Sequence, residues 1–273
     1  IIIGVPVSFA IGVASVFGVL ALNVPMVVTV QRMFSGLDAY TLLAIPFFIL
    51  AGNLMDYGGI SRRLINLSNA LVGHIRGGLA MVCVLASMLF GCVSGSAAAA
   101  CAAIGPVMLP GMKEKDYEPE FSSALISCSG PLGSIIPPSL TMVIYGASSN
   151  ASIGTMFLGG YIPGILIGCA IMLLCYFFAV KRNYPAGTKA TLREILHSLR
   201  GAIWALLTAI IIVAGIMSGI FTATEASAVA VFYALFVGLF VYKELKIKDL
   251  PDIFFRSVVT SATVLFCVAT STI

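Results

Sequence analysis

Residues Gly77 to Met112 read GGLAMVCVLASMLFGCVSGSAAAACAAIGPVMLPGM, thirty-six residues without a charge, bounded by Arg76 and Lys113. As one straight helix this stretch would run roughly 54 Å at about 1.5 Å per residue, against about 30 Å for a bilayer's hydrocarbon core. In its middle stand Ser94-Gly95-Ser96, followed by Ala97 to Ala100. Splitting there gives two helices of about 16 residues and roughly 24 Å each, short for a full crossing. The stretch therefore predicts a re-entrant hairpin that enters, turns near the midplane and leaves on the side it came from. Backbone at that depth persists only inside protein or beside a wet cavity, so the tip is a candidate site.

The rest of the composition agrees with a membrane setting. The chain is 60% hydrophobic and 10% charged, which excludes a soluble core and indicates an all-α polytopic membrane protein. Its net charge of +4 comes from basic residues placed between apolar segments, which points to membrane orientation and not to nucleic acid. Cys83, Cys92, Cys101, Cys128, Cys169, Cys175 and Cys267 form no C-x-x-C pair and sit in apolar stretches, as packing residues do. His74 and His197 lie in basic flanking segments and read as interfacial. No nucleophile–base set, metal-ligand cluster or phosphate-binding glycine loop is present, so no enzyme is expected. The chain begins at Ile1 and not at Met, so preceding residues are expected. Residues 1–22 lack a basic start and a small-x-small cleavage site, and read as a span and not as a signal peptide.

Taken in order, a connection from Asn23 to Leu37 follows the first span. A second span covers Asp38 to Tyr57, kinked at Pro46 and broken by Gly58-Gly59. Ile60 to Ile75 combines Arg62 and Arg63 with an apolar face and suits a helix along the interface. Beyond the hairpin, Lys113 to Glu120 is a charged loop, and Phe121 to Val180 is again free of charge. Gly130-Pro131 and Pro137-Pro138 interrupt this run. They predict a helix to about Ser129, a non-helical break from Gly130 to Pro137 and a new helix from Pro138. Ser148-Ser149-Asn150 turns the chain, and residues 153–180 return across the membrane, bent near Gly159-Gly160 and Pro163. A basic segment from Lys181 to Arg200, a span from Gly201 to Ile220 with Trp204 near its charged end, and a capping box at Thr222 to Glu225 come next. Ala226 to Tyr242 spans again, Lys243 to Arg256 is interfacial, and the chain ends in an apolar run. With these spans every Lys and Arg except Arg32 falls on one side, which the positive-inside rule makes cytoplasmic.

The hairpin tip offers hydroxyls at Ser94 and Ser96 and flexible backbone at Gly95. The break offers Gly130, Gly133, Ser134 and Ser139, with carbonyls freed by Pro131, Pro137 and Pro138. Neither element has a carboxylate or a histidine. Neutral oxygens of this kind suit a hard monovalent cation; a proton relay needs titratable groups. Gly95 and Gly133 are expected to hold backbone angles closed to other residues. The competing reading is that the small residues serve only close helix packing.

These residues also carry a resemblance. Ser94 to Ala99, Ile135-Ile136-Pro137-Pro138-Ser139 with Met142 to Gly146, and Gly219 to Ala226 are similar to the large membrane subunit of TRAP (tripartite ATP-independent periplasmic) transporters. Leu43 to Gly52 and Ser61 to Leu64 are similar to it too, so the likeness covers essentially the whole chain. The family often has proline where Ala223 stands. The resemblance implies a sodium-driven secondary transporter that imports organic acids such as C4-dicarboxylates or sialic acid. It implies a small membrane subunit and a periplasmic substrate-binding protein as partners. It also implies an elevator-type fold of inverted repeats, with a hairpin and a broken helix in each half. Only one such pair is present, so the repeat is incomplete and the chain reads as a first half plus the start of a second. The implied division is a scaffold with an interfacial arm over 1–76, half of a transport domain over 77–180, and a second arm with the start of the second repeat over 181–273. One sodium ion is expected between tip and break, on oxygens of Ser94, Gly95, Ser96, Gly133, Ser134 and Pro137, with substrate at Ser96, Pro138 and Ser139. The alternatives are a related dicarboxylate/sodium symporter that works without a binding protein, and a non-transporting scaffold or channel subunit.

Overall fold

A computed structural model describes residues 4–149 and 151–273; residues 1–3 of the expected first span and Asn150 of the expected turn lie outside the described residues. Among the described residues the chain is built of α-helices. They are α1 (Val7–Ala21), α2 (Met26–Leu37), α3 (Ala44–Tyr57), α4 (Ile60–Val72), α5 (Gly78–Ser94), α6 (Ala97–Glu114) and α7 (Pro119–Ser129). After these come α8 (Leu132–Ile135), α9 (Leu140–Ser149), α10 (Ile153–Lys181), α11 (Leu192–Met217), α12 (Ala223–Phe236) and α13 (Leu250–Ser271). A 3-10 turn, Tyr40–Leu43, leads into α3, and a π turn, Val237–Val241, prolongs α12. Stretches 40–57, 153–181, 192–217, 223–241 and 247–271 are long and apolar enough to cross a membrane. The protein is an all-α polytopic membrane protein.

Helix α5 is the axis of the molecule. It packs against α3, α4, α6, α7, α8, α10 and α11, and Val82, Cys83, Val84, Ala86 and Phe90 are fully enclosed. Lipid offers helices little hydrophobic incentive to associate, so close backbone approach and buried hydrogen bonds matter more. Both occur on α5. A Cβ at Gly91 would lie 2.3 Å from the Cα of Gly133, which leaves glycine as the only fit. The Ser87 hydroxyl donates to the Ser129 hydroxyl of α7 at 3.2 Å, an interhelical bond worth about 0.6 kcal/mol. Helices α11 and α12 each start with a closed capping box, Thr191 with Glu194 and Thr222 with Glu225.

The structure corrects several sequence expectations. The connection over 23–37 contains α2, which starts after Pro25. Pro46 sits not mid-helix but in the first turn of α3, just after the 3-10 turn, where the missing N–H costs little. Ser148 and Ser149 are still helical, their hydroxyls donating to the carbonyls of Ile144 and Tyr145. Helix α10 is continuous, with Pro163 inside it. Gly160 and Gly164 also serve contact: a Cβ there would lie 2.6 Å from the Ile135 oxygen or 2.5 Å from the Ile136 side chain. The basic segment after Lys189 and the span from Gly201 form one helix, α11, without a break at Gly201. Arg256, expected in an interfacial segment, lies within α13.

Candidate functional site

The hairpin forms as a helix, a two-residue turn and a helix. Gly95 ends α5 at φ +65°, its N–H donating to the Gly91 carbonyl at 2.8 Å. Ser96 is extended and caps α6, its hydroxyl accepting the Ala99 N–H at 3.4 Å. At the other end Tyr117, just past α6, lies beside the backbone of Leu79 and Ala80 in the first turn of α5. The two helices therefore run antiparallel.

The break differs in detail from the expected single gap. Gly130-Pro131 ends α7, one helical turn (α8) follows, and residues 136–139 are then non-helical. Helix α9 starts at Leu140 and not at Pro138, because Ser139 takes the capping role, accepting the Met142 N–H at 3.4 Å. The Pro137–Pro138 peptide is cis.

Tip and break meet. The Leu140 N–H donates to the Gly95 carbonyl at 3.0 Å. A Cβ on Gly95 would lie 2.8 Å from the Pro138 oxygen, and one on Gly133 would lie 3.1 Å from the Gly91 Cα and 3.2 Å from the Ser96 oxygen. Gly95 holds the left-handed angle expected of it. Gly133 does not, so it is needed for closeness and not for its backbone angle. Ser94, Gly95, Gly133, Pro137, Pro138 and Ser139 are buried, while Ser96 and Ser134 are half-buried. Gly91, the partner of Gly133, was not among the sequence candidates; its spacing of four from Gly95, a small-xxx-small pattern, was the available signal.

The junction presents two kinds of polar group. On one side are acceptors. Pro137 has no N–H to give the Gly133 carbonyl four residues before it, and Pro138 likewise has none for Ser134. Ser139 repairs the second gap by donating its hydroxyl to the Ser134 oxygen. The Ser134 hydroxyl donates to the Pro131 oxygen at 2.8 Å. The Ser134 hydroxyl keeps both lone pairs and the Ser139 hydroxyl and Gly95 carbonyl one each, which a cation can use. On the other side are donors. Helices α6 and α9 both begin here, and the first-turn N–H groups of Ala97, Ala98 and Thr141 have no intrahelical acceptor. Two helix N-termini favour an anionic group without any Lys or Arg.

These features define a polytopic membrane protein with a hairpin and a broken helix packed tip to break, a design used by secondary transporters. The chain belongs to the DctM component family of tripartite ATP-independent periplasmic transporters, which it matches over residues 1–273. It is 46% identical to YgiK of Salmonella typhimurium over 98% of this chain and 62% of that one. It is 41% identical to the C4-dicarboxylate TRAP transporter large permease protein DctM of Pseudomonas aeruginosa, over 87% of this chain and 56% of that one. Identity to the sialic acid TRAP transporter large permease protein SiaM of Vibrio cholerae is 42%, over 96% of this chain and 61% of that one. The chain thus spans less than two thirds of the length of these relatives. The family is one of transporter permeases and not of enzymes, and the chain is a multi-pass protein of the inner membrane.

Proposed function

We propose that this chain is part of the large membrane subunit of a sodium-coupled importer of organic acids, delivered by a periplasmic binding protein and served by a small membrane subunit. The observation that carries the reading is the seating of the hairpin tip on the broken helix, through the Leu140–Gly95 hydrogen bond and the Gly91–Gly133 contact. Sodium is held by neutral oxygens of Ser94, Gly95, Ser96, Gly133, Ser134 and Pro137; the Gly133 carbonyl, left without an amide donor by Pro137, is the strongest of these. The substrate carboxylate lies at Ser96, Pro138 and Ser139, where α6 and α9 begin. Substrates named for the relatives, C4-dicarboxylates and sialic acid, carry the carboxylate this end requires.

Residues 77–180 form half of a transport domain that moves as an elevator against a scaffold whose spans and interfacial arm lie over 1–76, while 181–273 supplies a second arm and the start of the second repeat, with the hairpin re-entrant and the basic segments cytoplasmic. The test is uptake of labelled C4-dicarboxylate or sialic acid by the full-length permease with its partners in proteoliposomes. Uptake is expected only with inward sodium and added binding protein. Uptake that ignores the binding protein would support the symporter alternative, and a sodium-independent conductance would support the channel reading. Impermeant labelling of Lys189→Cys from the periplasm would overturn the orientation.

A further inference from the structure

Helix α3, with the 3-10 turn that leads into it, is hydrogen-bonded on one side only. Toward α12 and α13 it makes polar contacts. The Asn53 amide donates to the Ser257 hydroxyl at 2.8 Å, the Tyr57 hydroxyl to the Asp252 carboxylate at 3.0 Å, and the Thr224 hydroxyl to the Tyr40 carbonyl at 3.1 Å. Toward the hairpin and α9 it makes none: among the described residues no hydrogen bond or ion pair joins residues 40–57 to residues 77–180.

The bare side is a single stripe. Leu42, Ile45, Ile49 and Gly52 recur at spacings of three, four and three, which places them on one helix face, and all four are buried. Both halves of the candidate site lie against it. Leu140, Ile144 and Ala147, which share a face of α9, pack on the cluster that Leu42, Ile45 and Ile49 form with Val268 of α13. The hairpin tip sits on Gly52: a Cβ there would lie 3.5 Å from the Ser94 carbonyl oxygen and 3.6 Å from the Ser94 Cα and Cβ. The two sides of α3 differ in what it costs to part them. A hydrogen bond broken in an apolar interior strands both partners. An apolar face exchanged for lipid loses little, because lipid tails are as apolar as leucine. The bonded side is built to stay, and the stripe can slip.

We propose that the Leu42–Ile45–Ile49–Gly52 stripe is the track along which the tip and the broken helix travel, and that Gly52 is the seat at which the tip stops, opposite Ser94. The proposal rests on the elevator reading above and adds to it the surface and the stop. The seat admits a methyl at ordinary contact distance, whereas a longer apolar side chain would hold the tip away. Gly52 is thus a positioning residue: it touches the backbone of the tip and sets how near α3 comes to it.

The test is the distance between two spin labels on the full-length permease with its small subunit in nanodiscs. The labels are carried on noncanonical residues at Glu120 of α7 and at Lys248, ahead of α13, both exposed. Pulsed electron paramagnetic resonance, in sodium chloride and in choline chloride, reads the populations. The wild type should show two distances, one of them that of this structure. Gly52→Leu should push the tip off its seat and lower the population of that distance about tenfold. Gly52→Ser fits the seat and brings a donor to the Ser94 oxygen, so it should raise the same population about fivefold. Opposite shifts mark a stop, since a general packing defect moves both variants the same way. If Gly52→Leu does not assemble, Gly52→Ser decides alone, and the absence of a rise overturns the proposal. Populations unchanged in both variants, or shifted in one direction, overturn the proposal and leave the elevator reading standing. A single wild-type distance in both salts overturns the elevator reading and the proposal with it.

Discussion

The two ends of the hairpin are built alike and charged differently. Each has a glycine in the left-handed region, Gly95 at φ +65° and Gly77 at φ +74°. Each is pinned to a distant segment by one backbone hydrogen bond, Leu140 to Gly95 at the tip and Gly77 to Pro185 at the open end. At the tip every polar group is a neutral backbone or hydroxyl group. At the open end Arg76, Lys113, Lys115 and the Arg182–Glu118 pair gather. One helical pair thus ends in neutral carbonyls and helix starts at its tip and in formal charges at its open end. Ionisable groups are expensive inside a bilayer and cheap at its surface.

The largest effect should come from breaking the tip's backbone contact. Gly91→Ala places a methyl 2.3 Å from the Gly133 Cα, and neither helix can yield locally. It should cost about 1–3 kcal/mol or more, read as lowered Tm and loss of uptake. Gly133→Ala meets its neighbours at 3.1 Å and beyond, so it should be milder; equal damage from the two would mean the contact is not the constraint. The left-handed glycines come next. Gly95→Ala and Gly77→Ala should each lose about 1–2 kcal/mol to backbone strain alone, with the added methyl crowding the Pro138 oxygen at one end and the Ala179 Cβ at the other. The comparison is sharpened if only Gly95→Ala alters sodium dependence. Ser96→Ala removes the cap of α6 and should cost about 1 kcal/mol in unfolding experiments. Smallest is Glu118→Gln, which breaks an exposed ion pair with Arg182 and should leave the Tm nearly unchanged.

Much of the tip was legible in the sequence. A charge-free length too long for one helix and too short for two crossings, with Ser94-Gly95-Ser96 at its centre, located the turn to the residue. Prolines located the break, because a missing N–H interrupts a helix wherever it falls. They did not reveal α8, since Gly130-Pro131 and Pro137-Pro138 mark only the two edges of the gap, and a single turn between them needs no signal of its own. Helix α2 was hidden in an assumed connection although Pro25 stood at its start. The Gly91–Gly133 contact was out of reach for another reason: the two glycines lie far apart in the chain, and only tertiary packing makes them neighbours.

The central claim is that the tip and the break hold sodium together. The direct measurement is uptake as a function of sodium concentration, by the full-length permease with its partners in proteoliposomes, for wild type, Ser96→Ala and Gly133→Ala. The claim predicts a half-saturating sodium concentration raised about tenfold in each variant, the loss of roughly 1.4 kcal/mol of ion binding. Sodium dependence and maximal rate unchanged in both variants would place the ion elsewhere and leave the small residues with a packing role alone.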